Sequence, residues 1–150
     1  MTTARDDIER LLYSYAERID AGDFAGVADL FADAVITSEG SDRKVIGRDG
    51  ALAMYEGSTR RYPNGTPLTK HVTTNVMIEV DDDGATATSQ AYFTVLQAVP
   101  GELALQPIIA GRYRDRFDCV DSHWRFASRH MIVDLLGELG QHLLFDLGPG

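Results

Sequence analysis

Apolar residues recur at helical spacing in the first third of the chain and at alternate positions from residue 69 onward. Ile8, Leu11, Leu12, Tyr15 and Ile19 form one stripe with a helical period. Thr3 stands where a cap is needed, with Asp6 and Asp7 in the first turn, where carboxylates favour the positive end of the helix dipole. Ala21-Gly22-Asp23 ends this helix, Asp23 caps a shorter one, and Phe24, Val27, Leu30 and Phe31 form the apolar side of the second helix. A short strand over 34–38 and a third helix over about 48–61 follow, stopped by the turn-forming loop Tyr62-Pro63-Asn64-Gly65. The period then changes to two. Segments 69–80, 85–98, 105–120 and 123–135 read as four long strands in hairpin order, with Asp81-Asp82-Asp83-Gly84 and Pro100-Gly101 as turns. Helices placed before an antiparallel meander specify an α+β domain, in which the sheet curls around a helix and leaves a cone-shaped cavity.

The length suits a single domain over 1–150, with a tail from about residue 137 that is either a flap over the cavity mouth or a loosely held end. Lys and Arg number 14 against 23 Asp and Glu, a formal charge of -9 that repels phosphate backbones and anionic lipid surfaces. Nucleic-acid and membrane partners are therefore not expected. The first residues lack a basic-then-apolar leader, no apolar run approaches the ~20 residues of a membrane span, and Cys119 has no second cysteine to pair with. A cytoplasmic location is the expectation.

Candidate chemistry centres on Thr69-Lys70-His71-Val72-Thr73-Thr74-Asn75. Strict alternation places His71, Thr73 and Asn75 on one face and Val72, Val76, Ile78 and Val80 on the other, so a face that packing would keep apolar is polar. Asp20 is the second anomaly, because a carboxylate at a helix C-terminus opposes the dipole. An imidazole titrates near neutrality, and a carboxylate on one ring nitrogen fixes its tautomer for proton abstraction by the other. Each residue also has a purely structural explanation. Asp20 suits a turn, Tyr15 belongs to an apolar stripe, and Arg129 suits a cross-sheet ion pair. His123 and His142 are expected in solvent, and His130 has the opposite strand parity to Arg129, so only one of the two faces the cavity. The Asp81-to-Gly84 run reads as a hairpin turn, and no dinucleotide, phosphate-loop, nucleophile-elbow or zinc motif occurs, so neither a metal nor a cofactor is expected.

Tyr15-Ala-Glu-Arg-Ile-Asp20-Ala-Gly-Asp-Phe24 with Leu30-Phe31, His71-Val-Thr-Thr-Asn75, and Tyr113-Arg-Asp-Arg-Phe117 ahead of Trp124-Arg-Phe126 and Arg129 together resemble the SnoaL-like polyketide cyclase and dehydratase family, within the nuclear transport factor 2-like superfamily. The resemblance implies a cystatin-like roll, a curved mixed or antiparallel sheet wrapped around N-terminal helices with an internal pocket. It also implies His71 as general base, Asp20 as the acid that orients it, Tyr15 directed at a substrate oxygen, and Arg129 near the pocket. One departure accompanies it. Dehydratases of this group carry a second ionisable group on the strand after the histidine, whereas 85–98 offers only Gln90, Tyr92 and Gln97.

The resulting expectation is a cofactor-independent lyase or isomerase, of dehydratase, cyclase or dehydrohalogenase type, acting on a hydrophobic oxygenated small molecule. Asp20, His71 and Tyr15 are its catalytic residues, and Arg129, Tyr92, Asn75, Phe24 and Met54 contact substrate. The alternative is a non-catalytic binding or assembly subunit, like the β subunit of ring-hydroxylating dioxygenases. An epoxide hydrolase would want an Asp-Arg-Asp set that the sequence does not display. Phe93, Val95, Ile108, Phe117 and Met131, apolar on both strand parities, further suggest a homo-oligomer, a dimer ahead of a trimer.

Overall fold

In the computed structural model of the protein, residues 1–145 are described. Helix α1 (Ala4–Asp20) opens with Thr3, whose hydroxyl accepts from the Asp6 amide while the Asp6 carboxylate accepts from the Thr3 amide, a reciprocal capping box. Helix α2 (Phe24–Leu30) starts at Asp23, which accepts from the Gly26 amide at 2.9 Å. Two short strands, β1 (Val35–Ser38) and β2 (Val45–Ile46), precede helix α3 (Gly47–Ser58), which ends three residues before the expected boundary. Four long strands follow: β3 (Thr69–Val80), β4 (Thr86–Val99), β5 (Leu103–Val120) and β6 (His123–Leu136). The sheet order is β2-β1-β6-β5-β4-β3, antiparallel except where β1 runs parallel to β6. Three helices therefore pack on one face of a curved, open, mixed sheet.

The apolar stripe of α1 fills the concave face. Ile8, Leu12, Tyr15 and Ile19 pack with Phe24 and Val27 from α2, with Phe31 at its C-terminal cap, and with Phe93, Val95, Phe117 and Phe126 from the strands. Phe93, Val95, Ile108 and Phe117 are thus spent on the core rather than on an outer surface, and Met131 lines the cavity. Ile108 alone has the opposite parity to the others, and the register shift that pairs Val95 with Ile109 but Leu96 with Pro107 brings it inward as well.

A bulge also overturns the expected faces of β3. The register with β4 shifts between Thr74 and Met77, and Asn75 takes a left-handed backbone with φ of 54°. Thr69, His71 and Thr73 point inward as expected, but the extra residue turns Asn75 to the outside and brings Val76 and Ile78 in. Among the described residues, no helix is long and apolar enough to cross a membrane.

Candidate active site

The last residue of α1 and the third residue of β3 meet directly. Asp20 Oδ1 lies 2.7 Å from His71 Nδ1 and accepts from the Thr69 hydroxyl at 2.8 Å, while Oδ2 accepts from the His71 backbone amide at 2.7 Å. These three bonds replace the local amides that a turn aspartate would use, so the carboxylate serves the strand rather than its own turn. Glycine makes the approach possible. Gly22 has φ of 74°, and a Cβ there would fall 1.9 Å from the Gly65 carbonyl oxygen, so the end of α1 docks against the loop that leads into β3.

Burial alone would raise the Asp20 carboxyl, but the His71 ring and amide and the Thr69 hydroxyl outweigh it and hold the pKa below the ordinary carboxylate range. The ionised carboxylate accepts, so His71 donates from Nδ1, which in the neutral ring leaves Nε2 as the acceptor. No described residue bonds that nitrogen, and the ring lines a cavity of about 690 Å³.

The cavity wall is largely apolar, with Ile19, Met54, Val95, Ile109, Met131 and Leu139 among its members, and its polar groups are few. Tyr15 presents its ring edge-on to His71, with centroids 6.1 Å apart, and its hydroxyl lies 2.9 Å from that of Tyr55. Burial, with the neighbouring Tyr15 adding to it, pushes the Tyr55 and Tyr113 hydroxyls well above their ordinary value, so both remain neutral phenols.

Of the expected site residues, Tyr15, Asp20, His71 and Met54 come together at the cavity, Asp20 from behind His71. The other four lie elsewhere. Phe24 is in the core, its ring 6.2 Å from that of Tyr55 and capped by the Arg61 guanidinium, so it backs the wall without forming it. Asn75 shapes the β3 bulge. Tyr92 is half exposed on the convex face, where it borders a shallow groove with Asn75, Met77, Arg112 and Arg114. Inward parity in β4 belongs instead to Ala87, Ser89, Ala91, Phe93, Val95 and Gln97.

Arg129 is inward but does not reach the cavity. It is fully buried and makes two bonds to Asp115, 2.8 and 2.9 Å, with Tyr113 and Tyr15 rings 3.7 and 4.4 Å from the guanidinium carbon. Burial disfavours its charge, but Asp115 outweighs that penalty, so Arg129 stays cationic beneath two tyrosines of the wall. Its sequence neighbour His130 faces outward, bonded to Thr37 and Glu39.

Four participants escaped the sequence reading. Thr69 shares a face with His71 and was legible from alternation, as was Tyr113, which has the parity of Asp115 and Phe117. Tyr55 sits on an α3 face with little apolar contrast. His142, expected in solvent, is instead 7% exposed and lines the cavity, because 139–145 folds back over α3: the Arg60 amide donates to the His142 carbonyl at 2.8 Å, and Thr59 bridges Leu143. Nothing local in the tail signals that contact. Leu139, His142, Leu143 and Phe145 of the tail line the cavity, and 146–150 lie outside the described residues. Among the described residues, no group of three or more His, Cys, Asp or Glu could hold a metal.

Comparison with solved structures finds the same fold repeatedly. A nuclear transport factor 2-like protein with a cystatin-like fold from Novosphingobium aromaticivorans superposes with a TM-score of 0.70 at 22% identity, over 86% of this chain and 80% of the other. A proposed scytalone dehydratase from the same organism gives 0.72 at 21% identity, over 97% and 94%. ActVI-ORFA from Streptomyces coelicolor gives 0.71 at 20% identity, over 89% and 98%. No curated protein matches the sequence. The family described as a SnoaL-like domain matches residues 1–130, the span from the capping box of α1 through the inward arginine of β6, and the chain belongs to that family.

Proposed function

We propose that the protein is a cofactor-independent lyase or isomerase in which His71 removes a proton beside a carbonyl or a leaving group of a hydrophobic, oxygenated small molecule. The observation that carries this reading is the His71 Nδ1 contact with Asp20 at 2.7 Å, on a ring that lines a largely apolar cavity of about 690 Å³. The carboxylate holds the tautomer and stabilises the imidazolium formed when Nε2 accepts the proton. Tyr15 is a hydrogen-bond donor for the oxygen on which charge develops, supported from behind by Arg129, which keeps positive potential under the Tyr15 and Tyr113 rings. Elimination, isomerisation and aldol-type cyclisation share this first step. The description of one structural neighbour as a proposed scytalone dehydratase agrees with the elimination branch.

A non-catalytic assembly subunit would have no use for a dyad beside an unfilled cavity, and the room at His71 therefore favours the enzyme. The test is incorporation of deuterium from D2O into a panel of enolisable ketones and hydroxy-ketones, starting with 2-tetralone and followed by NMR. Enzyme-dependent exchange at the acidic carbon is expected. No exchange across the panel, or exchange that His71→Ala leaves intact, removes the proposal.

A further inference from the structure

The cavity holds a second imidazole that the dyad does not use. His142 lies after β6, and its backbone is held on both sides, its amide donating to the Leu139 carbonyl at 3.0 Å and its carbonyl accepting from Arg60. The preceding Gln141 is pinned as well, its carbonyl accepting from the Tyr62 hydroxyl and from the Gln97 amide. A ring carried on so constrained a backbone is aimed.

Its two nitrogens are not equivalent. Nδ1 is fully buried and has no partner among the described residues, so Nε2 is the nitrogen left toward the cavity that the ring lines. A buried N–H without an acceptor is the rarer arrangement, and placing the proton on Nε2 leaves only a bare lone pair sealed inside. His71 has the opposite tautomer, with Nδ1–H given to Asp20 and Nε2 bare. One cavity therefore receives an acceptor from one histidine and a donor from the other.

We propose that His142 is a catalytic residue that donates a hydrogen bond from Nε2–H to the substrate carbonyl oxygen while His71 takes the proton from the adjacent carbon. This rests on the function proposed above and narrows its substrate class to ketones whose acidic C–H lies next to the carbonyl on an apolar body. The C–H bond breaks, and the proton passes to Nε2 of His71. The electron pair forms the carbon–carbon double bond, and the carbonyl π pair moves onto oxygen, which receives a hydrogen bond but no proton from His142. Burial lowers the His142 pKa to about 4, with a proton on His71 acting in the same direction and Asp20 opposing, so the donor is a neutral imidazole at physiological pH. A neutral imidazole can polarise a carbonyl without giving up a proton, as in other proton-abstracting enzymes. Tyr15, the other donor to this oxygen, also shares its hydroxyl with Tyr55, whereas no described residue competes for the His142 donor.

Two measurements test this with 2-tetralone and its carbonyl-free counterpart tetralin. In protein carrying ¹⁵N-histidine, His142 should show a neutral Nε2–H tautomer at pH 7, and its Nε2 signal should move with 2-tetralone but not with tetralin. His142→Leu should slow deuterium exchange into 2-tetralone by about 10²-fold, the usual effect of losing one oxyanion donor, and His142→Gln, which keeps an N–H, should recover most of it. An Nδ1–H tautomer, a His142 signal unmoved by saturating 2-tetralone, or undiminished exchange in His142→Leu would each overturn the proposal. Failure of the dyad reading looks different, since exchange would then survive His71→Ala while the His142 signal still responded to 2-tetralone.

Discussion

His71 and Asp20 form the smallest unit whose chemistry can be stated. The carboxylate makes three bonds, two of them to His71, so removing its charge disturbs both ring tautomer and strand position. His71→Ala is expected to lower turnover by ~10²–10⁴-fold, the contribution of a positioned base. Asp20→Asn should keep the fold and lower kcat more than it raises KM, which steady-state kinetics on any ketone active in the exchange assay will separate. Two pH windows follow from linkage. The native Asp20 carboxyl lies below its ordinary 3.8, so its stabilisation is complete above that value and is lost as pH falls through the lower native one. His142 moves from an ordinary 6.5 to about 4, so the unfolded chain takes up the proton first and stability falls as pH drops from 6.5 toward 4. Urea titrations across pH should show the loss between pH 6.5 and 4 in wild type and not in His142→Gln, and the loss below 3.8 diminished in Asp20→Asn.

At the scale of elements, two backbone features position the dyad. The bulge in β3 depends on Asn75 at φ of 54°, a conformation that Asn tolerates and β-branched residues do not. Asn75→Val should destabilise the fold by about 1–2 kcal/mol, with Asn75→Gly tolerated, as chemical denaturation will read. The turn after α1 depends on Gly22. Gly22→Ala combines an unfavourable φ with a clash against Gly65, and it should pull Asp20 away from His71, reducing deuterium exchange along with stability. The helices and long strands were legible because their periods are strong. The bulge was not, since one extra residue inverts a strand's faces without changing its composition, and that single step misassigned Asn75 as a substrate contact. Tyr92 was chosen as one of the sizeable polar side chains on 85–98, yet β4 turns Ala87, Ser89, Ala91, Phe93, Val95 and Gln97 inward and Tyr92 outward.

For the whole molecule, the helices cover the concave face of the sheet and leave the convex face open. Met77, Tyr92, Leu105 and Leu135 are exposed, while the residues first expected to drive association lie in the core or cavity wall. A homodimer burying more than ~1,000 Å² in total is expected to cover part of this surface, a trimer being second in order, and light scattering that shows a monomer at micromolar concentration would rule it out. The outer arginines Arg112 and Arg125 are paired within the chain with Asp134 and with Asp33 and Asp118, whereas Arg114 and Arg116 stand exposed on the same face of β5 beside the apolar side chains.

The amino-acid sequence by itself determined the order of elements, the histidine on a polar strand face and the carboxylate at the end of α1, because periodicity, caps and turn residues act over a few neighbouring positions. Only the tertiary structure decided what those side chains face. Arg129 became a buried ion pair behind the tyrosines, Phe24 a support for the wall, and His142 a member of the cavity, since each of these outcomes depends on contacts between residues far apart in the chain. The pairing of Asp20 with His71 stands between the two. Its members were readable from local anomalies, but their meeting at 2.7 Å required the sheet to curl and Gly22 to let the first turn dock against Gly65.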